Sequence, residues 1–167
     1  MRKDQAVRKF LITGLGTGYM PFAPGTWGSL GVTIIYVALA MLGVRAPIIW
    51  GVMAGIAVLA TWGCLAWGEY AEGVFGKKDP GQVTLDEWAG QAVAYLFVPF
   101  VAGWSGVLTP ALIGLMLFRF MDIAKPSPAC RLQSLKGGLG IVVDDLIAGV
   151  YANIAAQVLL RWVLQVA

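Results

Sequence analysis

The length of its uncharged stretches constrains this chain more than any other feature. No charged residue interrupts Phe10 to Val44, Ala46 to Gly68, Trp88 to Phe118 or Leu146 to Leu160. A bilayer-spanning helix needs about 20 mostly apolar residues, and three of the four runs reach that length. Only 13% of the 167 residues are charged, against about 25% in a soluble domain. The expectation is an all-α integral membrane bundle of about five helices in a single domain, residues 1–167. Six of the nine carboxylates stand at the ends of these runs: Asp79, Asp86, Glu87, Asp122, Asp144 and Asp145. Ionisable groups are expensive beside hydrocarbon, so acids gathered at the mouths of apolar helices point to function.

The remaining composition excludes several classes. There is no histidine, and Cys64 and Cys130 form no CxxC pair, which rules out zinc of the Cys/His kind. The net charge of +3 comes without a basic stripe interleaved with aromatics, so nucleic acid is not an expected partner. The basic start (Arg2, Lys3, Arg8, Lys9) leads into a Gly/Pro-rich stretch rather than a short apolar region with a cleavage site, and is expected to stay on the protein.

Punctuation sets the expected helices. A first helix over about 28–44 ends at Gly43-Val44-Arg45. Pro47 opens a second over about 47–68, whose Gly51, Gly55 and Gly63 suit close packing in lipid. A polar loop, 69–84, follows. Pro99, Gly103, Gly106 and Pro110 break 88–118 near 102–107, giving two short spans or a re-entrant hairpin. A loop over 122–143 precedes a last helix from about Asp144. This threading puts ten of the twelve basic residues on one side, leaving Arg45 and Arg161 on the other, and the basic side is the cytoplasm. Four polar clusters share that side.

In the first cluster, Gly14–Gly18 and Ala23–Ser29, glycines let backbone amides approach an anion. A helix starting near Trp27, capped by Thr26 or Ser29, would aim free N–H groups at a phosphate. The same residues would serve equally as a plain connector, and the Walker ending is missing. The second cluster is Asp79 to Glu87. Adjacent helical carboxylates point about 100° apart, so one of Asp86 and Glu87 is expected to ligate a metal while the other binds a second ion or orients water. Gln91 lies one turn further on. The third, Arg119 to Pro126, offers Asp122 beside the cations Arg119 and Lys125; Asp122 and Lys125 are spaced for a salt bridge. In the fourth, Gly137 to Gly149, the adjacent Asp144 and Asp145 would repel one another when buried, and a divalent cation removes that penalty. Carboxylates without His or Cys select a hard ion, Mg²⁺ before Mn²⁺ or Ca²⁺.

These motifs, GLGTGYMPFAPGTWGS (14–29), DPGQVTLDEWAG (79–90), FRFMDIAKPSP (118–128) and GGLGIVVDDLIAG (137–149), resemble in order the phosphatidylglycerophosphatase A family of bacterial phospholipid synthesis. The chain departs from the family pattern at Leu85, where tryptophan is common, at Thr17 and Ser127, and at Cys130, near a frequent arginine and next to Arg131. The resemblance implies Mg²⁺-dependent hydrolysis of phosphatidylglycerophosphate to phosphatidylglycerol and phosphate at the cytoplasmic side of the bacterial inner membrane. In that scheme Asp86, Glu87, Asp122, Asp144 and Asp145, with Asp79, hold one or two Mg²⁺. Arg119, Lys125 and the Gly25, Thr26 and Ser29 segment meet the phosphate. Metal-activated water ranks above a covalent aspartyl-phosphate because DxDx(T/V) is absent. The rival from another class is a small divalent-cation transporter or channel, which would need polar residues through the apolar mid-membrane runs.

Overall fold

A computed structural model describes residues 3–127, Leu132, Leu135 and 137–165; Arg2, Cys130, Arg131 and Lys136 lie outside them. Six helices, with no strand among the described residues, run α1 (Lys3–Ile12), α2 (Pro24–Met41), α3 (Ala46–Phe75), α4 (Leu85–Ala94), α5 (Trp104–Ala124) and α6 (Gly137–Val158), and α6 continues through a π-helical turn, Leu159–Val163. The count exceeds the expected five because the charged N-terminus itself folds as α1. That helix seats Ile12 against Ala71, Val83 and Ile141. Four helices, α2, α3, α5 and α6 with its extension, are long and apolar enough to cross a membrane.

Three boundaries differ from expectation for local reasons. α2 begins at Pro24, whose fixed φ and missing N–H suit a first turn, so Thr26 and Ser29 lie inside the helix rather than capping it. α3 runs seven residues past Gly68 to Phe75, through the expected polar loop, and stops at Gly76 with φ 65°, a left-handed glycine stop. α6 starts at Gly137, so Asp144 and Asp145 stand two turns inside a helix and not at its mouth.

The 88–118 stretch is broken over 95–103, between α4 and α5, earlier than the 102–107 expected from its glycines. α4 has ten residues, about 15 Å, half a hydrocarbon core of roughly 30 Å. Irregular chain then carries Phe97 and Val98 to the end of the bundle where α3 begins: Trp50 Nε1 donates to the Val98 carbonyl (3.4 Å) and Arg161 Nη2 to that of Phe97 (2.9 Å). Buried non-helical backbone must have its polar groups satisfied within the protein. Asn153 does this at the end of α4, its Nδ2 donating to the carbonyls of Val93, Ala94 and Leu96 at 3.2, 3.1 and 2.6 Å. Tyr95, stacked on Tyr36, donates to the Ala111 carbonyl at 2.7 Å.

Candidate active site

The acids converge because glycines let their helices touch. On α4, Asp86 and Gly90 share a face one turn apart; on α6, Asp145 and Gly149 do the same. A Cβ on Gly90 would lie 2.5 Å from the Asp145 carbonyl oxygen, and one on Gly149 would strike the Gly90 carbonyl. The helices run parallel from the acid-bearing end, so backbone contact at the glycines brings the acids one turn earlier face to face. A second glycine crossing, Gly138 of α6 against Gly68 and the Cys64 carbonyl of α3, fixes α6 from its other side. Neither Gly90 nor Gly149 is among the site residues expected from the sequence. The signal was there as Asp-x-x-x-Gly, repeated at 86–90 and 145–149.

Asp79, Asp86, Glu87, Asp122, Asp144 and Asp145 all line one pocket of about 280 Å³, together with Lys125 and the 80–83 loop. Asp86, Glu87 and Asp145 each bring an oxygen within 4.8 Å of the others. The helical angle between successive residues therefore does not keep Asp86 and Glu87 apart. Asp86 Oδ1 accepts from the Glu87 backbone N–H at 3.0 Å, folding the shorter side chain back beside the longer one. Asp86, Asp144 and Asp145 are 6%, 3% and 4% exposed. Burial, and then the neighbouring Glu87 charge, push the Asp86 carboxyl well above the usual range. Burial also raises Glu87, opposed by its hydrogen bond to Asp86 and by the Arg119 charge.

The cations are placed otherwise than the sequence spacing suggests. Asp122 pairs with Arg119 (2.9 Å) and Lys125 with Asp144 (2.6 Å), not with Asp122. α5 ends at Ala124 and Lys125 turns left-handed, φ 43°, which swings its side chain off the helix toward α6. Burial alone would lower the Lys125 ammonium; the Asp144 hydrogen bond and the surrounding acids outweigh it and hold it above its ordinary value.

The expected phosphate loop is brought in only in part. Gly25 abuts the pocket's edge: a Cβ there would strike Glu87 Oε1 and lie 3.2 Å from Arg119 Nη1. Ser29 is buried, donates back to the Gly25 carbonyl (3.0 Å) and accepts from Arg119 at 3.5 Å. Thr26 is exposed, outside the pocket lining, with its amide bonded to the Ala23 carbonyl at 2.9 Å. Loop 13–20 instead braces the acid loop, through Thr17 Oγ1 and Thr84 Oγ1 at 2.9 Å and Gly18 packed on the Gln82 carbonyl.

The residues fit a hard divalent cation. Six carboxylates face two nearby cations, and Glu87 Oε2 and Asp144 Oδ1 are buried acceptors with no donor. Buried like charges with spare lone pairs are stable only with a counter-ion or protons, and an all-oxygen set selects Mg²⁺-type ions.

The sequence model of the family described as phosphatidylglycerophosphatase A matches residues 10–160. The chain is 35% identical over 164 residues to a Bacteroides thetaiotaomicron protein named as a candidate phosphatidylinositol-3-phosphatase, covering 98% of this chain and 99% of the relative. It is 33% identical over 156 residues to a Haemophilus influenzae phosphatidylglycerophosphatase A (92% and 89% covered), and 30% identical over 141 residues to its Escherichia coli counterpart (84% and 76%). No solved structure matches at comparable significance.

Proposed function

The chain belongs to the phosphatidylglycerophosphatase A family, and we propose that its acidic pocket hydrolyses the terminal phosphate of phosphatidylglycerophosphate with Mg²⁺ as cofactor. Water adds to phosphorus, the ester P–O bond breaks, and phosphatidylglycerol and inorganic phosphate leave. The observation that carries this reading is the meeting of Asp86, Glu87 and Asp145 in one acid-lined pocket that also holds Lys125.

Asp86, Glu87 and Asp145 would hold the ion, with Asp122, Asp144 and Asp79 completing the shell. A divalent cation bound there supplies Lewis acidity toward a phosphoryl oxygen and makes water a better nucleophile. The protein's own groups do the rest. Arg119 and Lys125 offset charge on the phosphoryl oxygens, each oriented beforehand by its ion pair. Gly25, where a Cβ would strike Glu87 Oε1, lets α2 pack directly against the Glu87 carboxylate and so fixes its position. Buried walls keep the charges in a low dielectric, where each interaction is stronger than in water. The acyl chains stay in the bilayer, and the site opens to the cytoplasm on the basic side.

Phosphate release from phosphatidylglycerophosphate by Asp86→Asn and Asp145→Asn, with Mg²⁺ and with EDTA, tests the proposal. Each variant is expected to lose more than about hundredfold in kcat; activity near wild type in both removes these acids from the mechanism. Because one relative bears a phosphatidylinositol-3-phosphatase name, phosphatidylinositol 3-phosphate belongs in the same assay. Faster turnover of that lipid would reassign the headgroup and leave the chemistry intact.

A further inference from the structure

A second cavity lies across α4 from the acids. We infer that this apolar groove is the seat of one acyl chain of the lipid undergoing hydrolysis, an inference that rests on the lipid-phosphatase reading above. The groove encloses about 330 Å³ between the chain after α1, the middle of α3 and the first turn of α4, with Leu15, Ile56, Leu59, Trp62, Leu85 and Trp88 in its wall.

Three observations choose the occupant. The first is placement: Leu85 and Trp88 line the groove while Asp86 and Glu87, between them in sequence, line the acid pocket. One helical turn thus presents an apolar face and a charged face about one helix diameter apart, roughly 10 Å. A phospholipid has the same two chemistries joined by its glycerol and headgroup. The second is continuity with the hydrocarbon-facing surface. Leu59 and Trp62, 68% and 57% exposed, lie in α3, a helix long and apolar enough to span, so the groove's open side meets lipid tails. Apolar cavities of this kind hold hydrocarbon rather than water. The third is a stranded donor. The Trp88 indole N–H is buried without an acceptor and sits 2.9 Å from where a Gly14 Cβ would stand; the glycerol ester carbonyl at the head of an acyl chain is an acceptor of the right kind. Such a tryptophan, apolar body with one polar tip, suits the boundary between tail and headgroup.

The test uses the full-length protein in lipid nanodiscs. Phosphatidylglycerophosphate carrying a diazirine near the end of one acyl chain is photolysed on the wild type and the labelled peptides are mapped. Label is expected to concentrate at 56–62 and 85–88 and to be displaced by unlabelled phosphatidylglycerophosphate but not by phosphatidylcholine. Label spread equally over exposed positions such as Ile34, Leu112 and Ile154, or displaced as well by phosphatidylcholine, would mean bulk lipid and overturn the assignment. In a second arm, Leu59→Trp narrows the groove. The ratio of kcat/KM for long-chain over dihexanoyl substrate is expected to fall about tenfold, the loss of roughly two methylenes' burial; an unchanged ratio counts against the groove. If the wild type releases phosphate from neither substrate, the phosphatase reading fails on its own, and the labelling still decides what the groove holds.

Discussion

Gly90→Ala isolates the step on which the acid cluster depends. The added methyl carbon would stand 2.5 Å from the Asp145 carbonyl oxygen, where ordinary contact begins at 3.4 Å, so α4 and α6 must part by about 0.9 Å. The obstacle is backbone and cannot swing away. Overpacking of this kind costs about 1–3 kcal/mol of stability. The larger effect is on geometry: metal–ligand distances tolerate about ±0.2 Å, and Asp86 and Asp145 ride on the two helices being separated. A misplacement near 1 Å costs about 10²-fold in rate. Phosphate release at saturating Mg²⁺ is therefore expected to fall about 10²-fold, with weaker Mg²⁺ binding and a lower Tm. Gly55→Ala is the control, because nothing lies within 4 Å of a Cβ there; by helix propensity alone it should be neutral or stabilising by up to about 1 kcal/mol. A Gly90→Ala enzyme with wild-type turnover and Mg²⁺ affinity would refute the claim that this contact sets the acid spacing.

Lys125→Ala removes the cation from a nearly buried Asp144 and is expected to cost about 1–3 kcal/mol of unfolding free energy, toward the lower end because the lysine is 30% exposed. Lys125→Gly should recover about 1 kcal/mol of that, since the position is left-handed and only glycine adopts that conformation without penalty; equal Tm values for the two variants would mean that the left-handed backbone carries no strain. Asp86 and Glu87 are both held above their ordinary values of 3.8 and 4.5, so without metal the folded state binds more protons than the unfolded one. Their contribution is then fully present below about pH 3.8 and is lost as the pH rises through the raised values. In EDTA the Tm should fall from acid toward neutral pH, and Mg²⁺ should flatten that slope. Asn153→Leu strands three carbonyls at the end of α4 and is expected to cost about 3 kcal/mol, read by thermal unfolding and by faster amide exchange over 92–98.

What the sequence made legible was what local chemistry decides. Uncharged runs marked the four long helices, Pro47 lies at the start of α3 as expected while α2 begins at Pro24, ahead of the expected 28, and six of the nine acids could be grouped because they stand at the ends of those runs. Tertiary contacts decided the rest. Nothing local says that α3 continues through Glu69 and Glu72; it does so because Ala71 packs under Ile12. Asp144-Asp145 looked like a helix mouth because charge usually ends a membrane span, yet Gly137–Gly140 is helical, with Gly138 packed so closely on the Cys64 carbonyl of α3 that a larger residue would not fit. The Asp122–Lys125 pair was reasonable by spacing and failed because the helix stops one residue short of Lys125.

The same burial that makes the acids useful makes them a strain on the empty protein. Asp145 is 4% exposed, brings an oxygen within 4.8 Å of those of Asp86 and Glu87 and shares their pocket with Asp122 and Asp144, and no cation is paired with it among the described residues. Asp145→Asn keeps its shape and removes one of several crowded charges, so in EDTA at neutral pH the variant should be more stable than the wild type while losing activity. A structural role predicts the reverse, because breaking a needed ion pair or hydrogen bond lowers Tm along with turnover. Thermal unfolding in detergent, with EDTA and then with Mg²⁺, separates the two. Mg²⁺ should raise the wild-type Tm more than that of the variant, since only the wild type has all its ligands to offer. A variant less stable than wild type in EDTA, and stabilised equally by Mg²⁺, would mean that Asp145 supports the fold and not the ion.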